Sequence, residues 1–377
     1  MTKYIQRQQH LFQNKTKIEE LESVRGIAAF LIVICHMPVW NSVYNITLIR
    51  NFYLMVQLFF VLSGFLIYKA YSSKLKNIKE VMRFQFFRFG RLYPIHLFFL
   101  TVFVVIEITK YFAQNKYGIT SLNSQPFREN NITALFQNFF LVQAIGPTNN
   151  AVTFNGPAWT ISVEFYTYFI FALIVLYLKK YKNFFFFGLF VVSFSFLLFS
   201  KNNYGFGYLL NCFSGFFLGS IIAHLENKIK FTLPKYSSLV VFIIIVTFLI
   251  FKKNLSYDPV MYFLTASLIL ALIANKNGYL NKILKLRLFV WLGSVSYSVY
   301  MGHLCIIWIA NQFIRVVLKK PEIFIAGKST PQLNNFETFI TSVIILAIVL
   351  SVSTLVYKFI EKPFRLKSRL YGFSKIK

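Results

Sequence analysis

Of the 377 residues, 56% are hydrophobic and 47 are Phe, an apolar load above that of soluble domains. The formal charge of +28 would suit a nucleic-acid partner, but cytoplasmic loops of membrane proteins gather Lys and Arg in the same way, and no nucleic acid is expected. Cys35, Cys212 and Cys305 lie in apolar runs without CxxC spacing, so neither a disulfide framework nor a metal site is expected.

The apolar residues form runs of about 16–22, the length that crosses a bilayer as a helix. Only helices or closed barrels satisfy the backbone in lipid, and these runs are too continuous for barrel strands. The pattern predicts an all-α, polytopic integral membrane protein of about ten transmembrane helices, near 26–44, 52–71, 94–113, 160–178, 183–200, 204–224, 237–252, 259–275, 294–314 and 337–359. The polar first 20 residues offer no cleavable signal peptide, so the first span serves as the uncleaved start of insertion. Of the 40 basic residues, 29 fall in segments on the N-terminal side of this arrangement and 11 on the other, which puts both termini in the cytoplasm. Residues 1–24 and 363–377 read as cytoplasmic tails and 25–362 as one membrane domain, with a polar outer loop over 114–131.

Ionisable residues inside a span are costly and point to function. In the first span Arg25 and His36 stand eleven positions apart, three helical turns, with His36 about 16 Å deeper. Glu22 shares the Arg25 stripe, and Gly26, Ala28 and Ala29 permit close helix approach. A neutral imidazole at mid-depth can take a proton from a hydroxyl, although a His satisfied by a neighbouring helix is the plainer reading. In the second span, Ser63-Gly64 reads as a helix contact.

Arg83, Arg88 and Arg91 crowd the entrance to the third span, and Arg88 and Arg91, one turn apart, can converge on one anion. Phosphates of an acyl-CoA suit them, as do lipid headgroups. Pro94 fits the first turn of the helix that follows. The short apolar stretch 132–145 reads as interfacial or re-entrant. In the fourth span Glu164 lies seven residues past Pro157, about 10 Å below the outer surface, with Thr160 and Tyr168 on the same stripe. It could orient His36 or form a structural ion pair. In the ninth span Ser296, Tyr300 and His303 share one face, as a site or as a hydrogen-bonded packing face. His10, His96 and His224 read as incidental.

Six segments in order, RGIAA…H (25–36), FFVLSGFLI (59–67), RxxRLYP (88–94), WTISVE (159–164), GSVSYSVYMGH (293–303) and EKPFR (361–365), resemble the acyltransferase-3 family, membrane-bound O-acyltransferases of bacterial surface polysaccharides. The family's Arg-x10-His pair falls on Arg25 and His36, its Arg-x-x-Arg on Arg88 and Arg91, and its Trp…Glu element on Trp159 and Glu164. The resemblance implies a ten-helix domain in the bacterial inner (cytoplasmic) membrane. It also implies acyl-CoA, commonly acetyl-CoA, as a co-substrate rather than a bound cofactor, and a lipid-linked or surface glycan as acceptor. On this reading His36, Glu164 and Arg25 carry catalysis, and Arg88, Arg91 and Arg25 hold the acyl donor. Trp159, Tyr300, His303 and Glu22 meet the acceptor, and His36 serves as base or acyl carrier. Glu22 stands where the family more often has Asp, and His96 replaces a Tyr or aliphatic residue. The hydrolase-like domain of some relatives is absent, so the chain would act alone or pass the acyl group on. A transporter or flippase, or a polysaccharide polymerase, remains an alternative reading. The first would show internal repeats, which are not seen, and the second a larger outer loop.

Overall fold

The computed structural model describes residues 18–119, 123–200, 204–229, 232–275, 277–325 and 328–375. Residues 1–17 of the expected N-terminal tail, with His10, lie outside them. The chain is a helical bundle: α1 (Glu19–Cys35), α2 (Met55–Tyr71), α3 (Ile78–Tyr117), α4 (Ile132–Phe139), α5 (Trp159–Leu178), α6 (Lys182–Phe199), α7 (Gly207–Lys228), α8 (Ser237–Phe251), α9 (Val260–Ala274), α10 (Arg287–Gln312), α11 (Asn335–Val356) and α12 (Lys362–Lys375). Among the described residues, seven helical runs are long and apolar enough to cross a membrane: Thr47–Tyr71, Ile78–Tyr117, Gly156–Phe199, Gly207–Lys228, Leu255–Ala274, Arg287–Val317 and Asn335–Gly372. The α1 helix has 17 residues and α8 has 15.

The expectation of an all-α chain needs one correction. Strands β1 (Glu322–Ile325) and β2 (Lys328–Pro331) pair antiparallel, Glu322 opposite Pro331. Pro321 and Pro331 bracket this hairpin, and each withholds the N–H that a continuing helix would use.

Three helices also start well before the hydropathy reading, the ninth expected span at Arg287 rather than 294. The first helix runs 19–35 rather than 26–44. Glu19, Glu20 and Glu22 suit its first turn, where the helix dipole favours acids, and Pro38 ends it soon after Cys35. The third begins at Ile78, where the Asn77 side chain accepts the Glu80 N–H at 2.9 Å, and closes on the left-handed Gly118. Pro94 therefore sits inside α3, not in its first turn, and forgoes the bond to the Gly90 carbonyl. The segment at 132 folds as an eight-residue helix, too short to span. His96, expected to be incidental at an interface, is buried, and its Nε2 bonds the Asn138 carbonyl at 2.8 Å, fixing α4 to α3.

Two crossings set the centre of the bundle. A Cβ on Gly64 would stand 1.8 Å from the Phe216 carbonyl oxygen, and one on Gly219 would stand 2.0 Å from that of Val61, so α2 and α7 touch backbone to backbone. Gly26 and Gly293 do the same for α1 and α10, with 2.4 Å to the Gly293 nitrogen and 2.2 Å to the Glu22 oxygen. Small residues at crossings are how membrane helices gain contact without a hydrophobic drive. Inside, rings interlock, as in Phe171–Phe186 at 5.2 Å and Phe186–Phe217 at 5.5 Å. Phe184, Phe199 and Phe359 point outward, as a lipid-facing surface allows. The α11 helix passes through a π-helical segment, Tyr357–Glu361, straight into α12. The stretch expected as a tail from 363 is thus helical through Lys375 and packed along α3, with Ser368 against Gly90.

Candidate active site

Two groups of polar side chains lie between the helices. The first sits where α1 ends. His36 caps that helix and is exposed, and its Nδ1 lies 2.9 Å from the Ile32 carbonyl oxygen. A carbonyl only accepts, so Nδ1 carries the proton and Nε2 keeps a free lone pair. His303, fully buried on α10, repeats the arrangement: Nδ1–H donates to the Tyr300 carbonyl at 2.8 Å, and its buried Nε2 has no partner among the described residues. The two rings meet edge to face, centroids 4.9 Å apart.

The second group lies toward the start of α1. Arg25 Nη1 stands 3.6 Å from Glu22 Oε1. Glu164 on α5 accepts hydrogen bonds from Ser63 and from the Tyr168 hydroxyl, the latter at 2.5 Å, and Ser63 and Tyr168 are themselves 2.8 Å apart. The α5 helix starts on a tight turn with Pro157 at its entrance, which sets Glu164 less than two turns in. Arg88 is buried under the rings of Tyr71, Phe84 and Tyr168, its guanidinium 5.6–5.8 Å from their centroids. Arg91 lies within electrostatic reach of Glu22, Glu164 and Glu361. Tyr300 connects the groups. Its ring is 6.1 Å from that of His303, and its hydroxyl lies within reach of Thr160 and of the Glu164 charge.

The site residues expected from sequence therefore divide. His36, His303 and Tyr300 converge, and so do Glu22, Arg25, Arg88, Arg91 and Glu164. Among the described residues no hydrogen bond joins Glu164 to His36: the Ile32 carbonyl occupies Nδ1, and Glu164 is bonded to Ser63 and Tyr168. Trp159 packs between Phe60 and Tyr208, at 5.8 and 4.7 Å, away from both groups' hydrogen bonds. Ser296 turns back on the Gly293 carbonyl.

Sequence reasoning missed Glu361. It is 2% exposed, accepts from Ser298 at 2.8 Å, and lies within electrostatic reach of Arg91, Arg365 and Arg25. The signal is an acid just beyond an apolar run, in EKPFR, two residues past the expected end of the last span at 359. The Ser63-Gly64 pair makes helix contacts of two kinds: Gly64 meets the α7 backbone, and Ser63 bonds Glu164 on α5. Among the described residues, no group of three or more His, Cys, Asp or Glu could hold a metal ion.

Residues 18–358 match the acyltransferase domain family, acyltransferase-3. Two Staphylococcus aureus proteins, from strains COL and MSSA476 and each named "Putative O-acetyltransferase", are 24% identical over 391 and 388 residues. Each alignment covers 92% of this chain and 57% of the relative, so the chain spans little more than half the length of the curated relatives it matches. No solved structure matches.

Proposed function

The chain belongs to the acyltransferase-3 family, and from that membership we propose a membrane O-acyltransferase that moves an acetyl group from coenzyme A to a hydroxyl of a lipid-linked or cell-surface glycan. Ten crossings follow if α1 and α8 count as short spans and Gly156–Phe199 counts as two, broken at Lys179 with φ 21°. The bias of 29 basic residues against 11 then places both termini in the cytoplasm and the Arg88–Arg91 end at the cytoplasmic face.

The observation that carries the proposal is the imidazole pair with its protons fixed. His36 Nε2 takes the proton of the acceptor hydroxyl, and that oxygen attacks the thioester carbonyl. The C–S bond then breaks, and the leaving thiolate recovers the proton from His36. His303 Nε2 stands ready beside it to share the charge. Arg88 and Arg91 hold the donor phosphates, and Arg25, eleven residues and about 16 Å from His36, marks a span that an extended pantetheine arm bridges. General-base catalysis contributes roughly 10²–10⁴-fold, so His36→Ala should lower acetyl transfer by that factor. Release of free CoA by purified protein with an oligosaccharide acceptor measures it, and full activity in the variant would remove His36 from the reaction. Labelled acetyl-CoA without acceptor should leave no label on the protein, whereas a carrier His36 would retain it.

A further inference from the structure

Four guanidinium groups from two helices gather at the end of the bundle where α1 begins. Arg88 and Arg91 are one turn apart on α3, and Arg365 and Arg369 are one turn apart on α12. The two helices are pressed together there. A Cβ on Gly90 would stand 2.3 Å from that of Ser368, one on Gly372 would stand 2.6 Å from the Phe87 ring, and the rings of Phe86 and Tyr371 are 6.0 Å apart. Arg369 lies within electrostatic reach of Arg88, Arg91 and Arg365 together. Among the described residues none of the four has a carboxylate within ion-pair distance. Arg88 is only 7% exposed, and its buried Nε has no partner among the described residues. Arg365 is held over the Tyr357 ring at 5.9 Å.

Like charges brought together and partly removed from water oppose folding unless anions join them, and of the neighbouring carboxylates Glu361 lies within electrostatic reach of Arg91 and Arg365. Guanidinium forks are suited to phosphate, and several converging forks suit several phosphates. The cluster is directed inward. Lys367, Ser368, Leu370 and Tyr371 line an apolar groove of about 1490 Å³ on the other face of α12, and neither Arg365 nor Arg369 does. Arg91 and Arg365 instead look toward Glu361. We infer that Arg365 and Arg369 of the C-terminal helix complete, with Arg88 and Arg91, one binding site for the phosphate groups of the acyl donor. The inference rests on the donor assignment proposed above and makes the end of the chain part of the substrate site. An anionic lipid headgroup offers the same phosphate chemistry and is the competing source.

The test uses the full chain in phosphatidylcholine nanodiscs, with CoA as the probe and Arg365→Gln, Arg369→Gln and Arg91→Gln as variants. Arg365→Gln and Arg369→Gln should each weaken CoA binding roughly tenfold, since a charge-assisted fork to phosphate is worth about that factor. The KM for the donor should rise more than kcat falls. In Arg369→Gln the melting temperature without ligand should hold or rise, because a like charge has been removed, whereas a purely structural arginine would lower it. If both variants bind CoA as the unaltered chain does while Arg91→Gln does not, the inference is overturned and the donor assignment stands. If the unaltered chain itself fails to bind CoA, the donor assignment fails and takes the inference with it. With phosphatidylglycerol included, unchanged CoA affinity together with loss of bound phosphatidylglycerol from the variants in native mass spectrometry would assign the arginines to lipid, and would also overturn it.

Discussion

A histidine in a membrane helix can be a base, a ligand or a satisfied packing residue, and the partner of its Nδ1 narrows the choice. In both His36 and His303 a carbonyl of the same helix holds that atom, so each ring offers Nε2 without help from a carboxylate. This leaves Glu164 free for the Ser63–Tyr168 triangle and for balancing Arg91. Removing the Tyr168 hydroxyl in Tyr168→Phe should cost about 1.5–3 kcal/mol, the value of a hydrogen bond to a charged group. Ser63→Ala should cost a similar amount, and because the two share Glu164 the double variant should lose less than the sum. Melting curves of the three purified variants test this, and strict additivity would mean that the triangle is not a unit.

At the scale of elements, backbone contact between helices rests on single glycines. Gly64→Ala should destabilise by about 1–3 kcal/mol or prevent assembly, because the new methyl meets the Phe216 carbonyl. Gly188→Ala, in the middle of α6 with nothing within 4 Å of its missing Cβ, should be neutral or stabilise by up to about 1 kcal/mol. Melting temperature and yield from membranes separate the two, and equal effects would sink the crossing argument. The same helices show what hydropathy reads and what it does not. It found the apolar centres of α1 and α3 but started α1 seven residues late and α3 sixteen residues late. A helix begins where a cap or an acidic first turn satisfies its free N–H groups, as Asn77 does for α3, and not where the chain turns apolar.

For the whole molecule, the charge bias makes a topological prediction. A cysteine in place of Asn123 should react with an impermeant maleimide added to intact cells, and one in place of Lys285 only after the membrane is opened. The reverse pattern would invert the proposed orientation and move the arginine cluster away from any cytoplasmic donor. Composition, run length and charge bias by themselves determined a helical membrane chain and most of its polar candidates, and six short motifs carried its family resemblance, because apolar runs, motifs and i, i+3, i+4 stripes are local properties of the sequence. Only the tertiary structure decided that His36 faces His303 and not Glu164, that Glu361 lies inside the bundle, and that Arg365 and Arg369 meet Arg88 and Arg91. Those pairings join residues far apart in the chain, and they depend on which helix faces touch, which the glycine crossings and the packing of α12 on α3 set, and which no local pattern encodes.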